Sequence, residues 1–317
     1  MKILIIRFSS IGDIVLTTPV IRCLKLQLPE VQVHYLTKSG FKAVLQNNPY
    51  IDKLHILDKS LSETIGKLKE EKFDLVIDLH HNLRTAILKR RLGIKSFSFN
   101  KLNFKKWLLV KFKINILPKV HIVDRYLETV NSLGVKDDGG GLDYFLEKQY
   151  TLHELLPDSH LQFTGLVIGA AHATKRLPVY KLIEVCRLAT HPIVLLGGKE
   201  DAERGEEIAT SVGEKVYNAC GKLTLDQSAF LVKMAERIIT HDTGLMHIAA
   251  AFNKPIVSVW GNTVPELGMY PFRVSDSKIM EVKHLSCRPC SKIGYKKCPL
   301  GHFKCMNDQD VSQILQE

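Results

Sequence analysis

Short, β-branched apolar runs separated by helix-length segments recur along the chain, and that rhythm constrains the fold more than any single residue. KILIIRF at 2–8, VQVHYLT at 31–37, KLHILD at 53–58 and FDLVIDL at 73–79 are largely apolar, and Gly, Pro, Asn and Asp recur in the segments between them. Strands that are apolar on both faces belong to a parallel sheet with helices on either side. The rhythm lapses from Gly134 to Phe163, where KDDGGGLDYFLEKQYTLHELLPDSH offers a glycine run and no sustained period. It restarts with TGLVIGA at 164–170, HPIVLLGG at 191–198, KVYNAC at 215–220, RIITHDT at 237–243 and PIVSVWG at 255–261. The pattern predicts an α/β chain of two doubly wound, Rossmann-like domains, 1–155 and 156–317, facing across a cleft. The last helix is a candidate to pack back on the first domain. At 317 residues and 45% hydrophobic content, the chain can bury the cores that two domains require.

Charge narrows the partners. Forty-four Lys and Arg against 33 Asp and Glu give a formal charge of +11, which attracts anionic partners: acidic lipid, phosphorylated substrate or nucleic acid. The cysteine count is seven, an odd number, and no secretory signal precedes the first strand-like run, so a reducing, cytoplasmic setting is expected. No apolar run approaches the length needed to cross a bilayer, so membrane contact is expected to be peripheral.

Ligands of open α/β sheets bind beyond the carboxyl ends of the strands, which directs attention to strand-to-helix turns. The first strand ends in Ser9 and Ser10, Gly12 permits a tight turn or a close ligand, and Asp13 stands where a helix should begin. Asp13 reads either as a cleft-facing acid or as a helix cap, with Pro19 kinking that helix or opening a second segment capped by Thr18. The second rich turn delivers Asp242, Thr243 and Gly244 to the start of a helix, with His247 one turn along. Helix N-terminal amides, a hydroxyl and a glycine form an anion-binding arrangement; the plainer alternative is an N-cap beside a core histidine. Neither GxGxxG nor GxxxxGK[ST] occurs, which removes the usual support for a dehydrogenase or a Walker-type ATPase.

Taken together, SSIGDIVLTTP at 9–19 and RIITHDTGLMHIAAAFNKPIVSVWGNTVPE at 237–266 resemble the family-9 glycosyltransferases, which include ADP-heptose lipopolysaccharide heptosyltransferases. HIVDRYLETVNSLGV at 121–135, GAAHATKRLP at 169–178 and CRPCSKIGYKKCPLGHFKCM at 287–306 extend the likeness over nearly the whole chain. The resemblance implies a GT-B architecture and inverting transfer of a sugar, a heptose from an ADP-linked donor, to a lipopolysaccharide-core acceptor. It implies a general base at Asp13, a diphosphate-binding Lys175, and donor contacts from Asp242, Thr243, Gly244 and His247. It further suggests a base contact near Leu223 and ribose contacts at Lys199 or Glu200. Two stretches depart from the family's common pattern: K-R-W-P reads Lys175-Arg176-Leu177-Pro178, and G-P-T-x-P reads Gly261-Asn262-Thr263-Val264-Pro265. The nucleotide sugar is a co-substrate; no resident cofactor is expected, and the residues specify no divalent ion. The implied partners are the donor, an anionic glycolipid acceptor and the inner membrane surface, with no nucleic acid.

Two further features carry chemistry. Cys287, Cys290, Cys298 and Cys305 could hold a tetrahedral zinc, with His302 as a substitute ligand, but their spacing matches no standard finger, and a loop of reduced thiols is the preferred reading. Between Arg84 and Lys113, Lys89, Arg90, Arg91, Lys95, Lys101, Lys105, Lys106 and Lys111 interleave with Phe97, Phe99, Phe104, Trp107 and Phe112. Such a surface, with Lys105, Lys106 and Lys111 foremost and Ser9, Ser10 and Gly12 on the acceptor side, suits an anionic glycolipid interface. A solvated face over an aromatic core is the plain alternative. Two rival functions share these features: a nucleotide-sugar epimerase of similar architecture, and a non-catalytic nucleic-acid binder.

Overall fold

The computed structural model of the chain describes residues 1–57 and 60–316. The chain folds into two compact units, one of residues 1–101 and 120–147, the other of 102–119 and 148–317. The segment 102–119 thus groups with the second unit, whereas the sequence pattern sets it in the first domain.

The first unit is built on five parallel strands: β1 (Lys2–Ile6), β2 (Gln32–Lys38), β3 (Lys53–Leu57), β4 (Leu75–Asp78) and β5 (Ser96–Ser98). Their spatial order is β3-β2-β1-β4-β5. Of the strand expected over 53–58, Lys53–Leu57 is observed, and Asp58 lies outside the described residues. Ile3 to Ile6 are fully buried, as a central strand covered on both faces must be; each such side chain contributes about 1.5–3 kcal/mol of burial. Leu4 and Ile6 join Phe8, Leu36, Ile65, Leu68, Phe73, Val76 and Leu88 in one core. The sequence pattern does not predict β5, which is three residues long and half-buried and lacks the apolar run that marks the others.

The second unit holds six parallel strands, β6 (Thr164–Val167), β7 (Ile193–Leu196), β8 (Val216–Asn218), β9 (Arg237–His241), β10 (Ile256–Trp260) and β11 (Ser277–Glu281). They lie in the order β11-β10-β9-β6-β7-β8. β11 escaped sequence reading because SKIME, an edge strand, buries only Met280. Thr224 opens the helix Leu225–Met234 with a capping box: its side chain accepts from the Gln227 amide, and its own amide donates to Gln227 Oε1 at 2.9 Å. The last helix, Val311–Leu315, buries Val311 and Ile314 in this unit's own core beside Leu182 and Val185. Among the described residues no helix is long and apolar enough to cross a membrane.

Candidate active site

In the first unit, β1 runs directly into the turn that carries Asp13. Ser10 is the N-cap of the short helix Ile11–Val15, and Asp13 is its third residue. The Asp13 Oδ2 accepts from the Ser10 amide at 3.2 Å and from Ser10 Oγ at 2.8 Å, while Oδ1 meets the Arg7 guanidinium at 2.7 Å. The acid is therefore both a member of a capping box and the partner of a buried cation. Arg7 itself is clamped: Nε donates to the Ser9 carbonyl at 2.8 Å, and Nη1 donates to the Leu79 carbonyl at 2.6 Å and to Tyr126 Oη at 3.0 Å. Burial opposes the charge on Arg7, but Tyr126, Asp13 and Tyr35 outweigh it and raise its pKa. Gly12 lies buried inside that short helix. Pro19 sits in the first turn of a second helix, Thr18–Gln27, whose N-cap is Thr17 and not the expected Thr18. The Thr17 hydroxyl donates to the Ile14 carbonyl at 2.6 Å instead of capping.

In the second unit, β9 ends at His241 and the helix Gly244–Ala251 begins three residues later with Thr243 as N-cap. The Lys175 ammonium reaches Asp242 Oδ2 at 2.5 Å, and the Thr263 hydroxyl donates to the same oxygen at 3.1 Å. Lys175, Asp242 and Thr243 are thus brought to one place from the turns after β6 and β9, and the turn after β10 closes on them. His247 is buried in that helix. His241 is also buried and supports the site indirectly. Its Nε2 accepts from the Leu177 amide at 2.9 Å, fixing the chain just after Lys175 and Arg176. Burial, then the Arg204 guanidinium, pushes the His241 pKa down to about 3.

The departures from the family pattern find a place here. Asn262 Oδ1 accepts from Thr174 Oγ1 at 3.1 Å, so the turn after β10 grips the one that presents Lys175. At Gly261 an added Cβ would lie 2.6 Å from both the Thr174 carbonyl and Met306, so the close approach of these turns requires glycine. The cysteine-rich segment braces the same turn. Arg288 donates to the carbonyls of Gly261 at 2.5 Å and Thr263 at 2.9 Å, and pairs with Glu281 at 2.9 Å. Tyr295 donates its amide to Thr174 Oγ1 at 2.8 Å.

Lys199 and Glu200 lie exposed on the turn after β7, and Leu223 lies half-buried before the helix that starts at Leu225. The two turns touch: the Gly221 amide donates to the Gly197 carbonyl at 3.2 Å. Gly221 has φ of +72°, and a Cβ there would sit 3.0 Å from Lys199 Cα.

All seven cysteines are free. Cys287, Cys290, Cys298 and Cys305 are not gathered to metal-ligand distances among the described residues; the group that is consists of His34, His55 and Glu71. Burial pushes the Cys305 thiol up to about 12 and that of Cys290 to about 11.

The basic stretch divides between the units. Lys89 pairs with the fully buried Asp78 at 2.9 Å, and Phe99 is buried. The helix Asn103–Phe112 instead docks on the second unit through Leu109, which packs with Val264 and Leu267. Lys113 then donates to the Pro289 carbonyl at 2.7 Å. Phe104, Trp107 and Phe112 are 67%, 47% and 53% exposed.

Arg7, Tyr126, Thr263 and Arg288 went unrecognised as site residues. Tyr126, Thr263 and Arg288 lie within stretches that carry the family resemblance, and Arg7 closes an otherwise apolar strand; the roles of all four come from contacts that only the fold creates.

Comparison with known proteins accords with this geometry. The model of glycosyltransferase family 9 (heptosyltransferase) matches residues 63–300. The chain is 26% identical to lipopolysaccharide heptosyltransferase 1 of Campylobacter coli, over 90% of this chain and 92% of that protein. It resembles the crystal structure of a family-9 glycosyltransferase from Veillonella parvula with a TM-score of 0.79 and 23% identity, covering 99% of this chain and 95% of that one. E. coli ADP-heptose lipopolysaccharide heptosyltransferase II follows with a TM-score of 0.71 and 20% identity, over 97% and 98% of the two chains. These likenesses give the fold as GT-B, and the family match extends over well more than half of the sequence. The chain belongs to glycosyltransferase family 9, the heptosyltransferases, and is a glycosyltransferase.

Proposed function

We propose that this enzyme transfers a heptose from ADP-heptose to a lipopolysaccharide-core acceptor, inverting the anomeric centre, with Asp13 as general base. The observation that carries this reading is the convergence of Lys175 and Thr243 at the start of the helix Gly244–Ala251, where cation, hydroxyl and helix amides suit a diphosphate. The names of its relatives support the sugar and acceptor: lipopolysaccharide heptosyltransferases 1 and 2 among the curated proteins, and an E. coli heptosyltransferase solved with ADP-2-deoxy-2-fluoro heptose.

In this scheme the acceptor hydroxyl oxygen attacks the anomeric carbon as the bond from that carbon to the diphosphate oxygen breaks. The acceptor proton passes to the Asp13 carboxylate and ADP departs with the electron pair. Arg7 and Ser10 hold the carboxylate in place. The leaving diphosphate draws Lys175 from Asp242, and Thr263 remains as a partner for that acid. Leu223 and the Lys199–Glu200 turn contact adenosine. The helix Asn103–Phe112 meets the anionic cytoplasmic leaflet, where a lipid-borne acceptor resides.

Incubation with ADP-heptose and a heptose-deficient core should yield acceptor extended by one heptose, with anomeric configuration opposite to the donor's by NMR. Release of free heptose, epimerised donor or retained configuration would count against the reading.

A further inference from the structure

A cluster of ligating side chains lies at the end of the first sheet away from the Asp13 turn. β2 and β3 pair in parallel with His34 opposite Lys53 and Leu36 opposite His55. His34 and His55 are therefore diagonal neighbours on the face that also carries Leu36, the face covered by Ile65 and Leu68 of the helix Leu61–Glu70. Glu71, the C-cap of that helix, brings its carboxylate beside the two rings. His34 Nδ1 stands 2.9 Å from His55 Nε2 and 3.9 Å from Glu71 Oε2, and ligand atoms of all three lie within 4.8 Å of one another.

We propose that His34, His55 and Glu71 form a binding site for one divalent transition-metal ion, a structural staple joining β2, β3 and the end of the covering helix. Two imidazoles and a carboxylate are a donor set for zinc, cobalt or nickel. Two nitrogens at ordinary metal–nitrogen distances in a tetrahedral site stand roughly 3.3 Å apart, so the rings need open only by a few tenths of an ångström. His34 is buried, and Phe73 lies edge-on to both rings at 5.1 and 5.9 Å, giving the site an apolar wall. Lys2 and Lys53 also bond Glu71 and compete with the ion. Lys53, 55% exposed, can swing into solvent, while Lys2 also donates to the Glu71 carbonyl at 2.8 Å and is anchored there. The position, near the amino ends of the strands, suits stabilisation and not catalysis.

Cobalt(II) titrated into the full chain tests this, because its spectrum reports ligand type. The expected result is one equivalent bound with visible d–d bands and no thiolate charge-transfer band. His55→Gln and Glu71→Gln should each weaken binding by more than about 100-fold, while Cys287→Ser/Cys290→Ser leaves it intact. Should His55→Gln fail to fold, the half-buried Glu71→Gln carries the test. Absence of binding, a thiolate spectrum abolished by the cysteine variant, or binding unchanged in both ligand variants overturns the site.

Discussion

Arg7 terminates a buried strand, and its guanidinium is shared among four acceptors, one of them the Asp13 carboxylate. The arrangement fixes the acid but makes its replacement costly in two ways. Asp13→Asn should lower kcat by roughly 10²–10⁴-fold, the usual weight of general-base catalysis, with donor affinity unchanged. It should also destabilise the fold by about 1–3 kcal/mol, since a buried guanidinium loses its anionic partner. Turnover near wild type, measured on protein shown to be folded, would remove Asp13 from the mechanism. His241 gives a second residue-scale expectation. Its folded pKa is pushed down to about 3 by burial, then by Arg204, while an unfolded histidine titrates near 6.5. Between those values the unfolded chain binds a proton that the folded one refuses. Stability therefore falls as pH drops below about 6.5, by about 1.4 kcal/mol per pH unit for this one group. His241→Gln retains an acceptor for the Leu177 amide and should make the acid limb shallower by one proton in urea unfolding between about pH 6 and 4. An unchanged slope would assign the effect to other histidines.

At the scale of elements, the helix Asn103–Phe112 buries one side chain against the second unit and exposes three rings. Leu109 anchors it to Val264 and Leu267, leaving Phe104, Trp107 and Phe112 in a mutually packed aromatic group that faces solvent. Lys111 is exposed, and Lys105 and Lys106 are half-exposed beside those rings. Exposed rings flanked by lysines fit a headgroup layer better than bulk water. Lys105, Lys106 and Lys111 changed together to Gln should weaken binding to anionic vesicles by on the order of 1 kcal/mol per residue and flatten its salt dependence. Transfer to a short soluble acceptor should persist. Vesicle binding unchanged at low salt would reduce the helix to a solvated face.

For the whole molecule, ligand response separates the role of Lys175 from general stabilisation. A ligand selective for the folded state raises apparent stability according to its affinity, so ADP should raise Tm more than adenosine does. In Lys175→Ala the ADP shift should shrink while the adenosine shift stays, because only the diphosphate carries the charge that Lys175 meets. Equal losses for both ligands would make Lys175 a support of the fold. The sequence by itself determined the doubly wound α/β class, nine of the eleven strands among the described residues, and the turns worth searching, since apolar runs and turn residues are local signals. It did not reveal β5 or β11, which bury too little to leave an apolar pattern. Nor could it reveal that Arg7 holds Asp13, that Arg288 braces the turn at Thr263, or that 102–119 packs with the second unit. Those facts depend on which distant segments meet. Partner choice for a buried charge, or for the apolar face of one helix, is settled only when the tertiary fold closes around it.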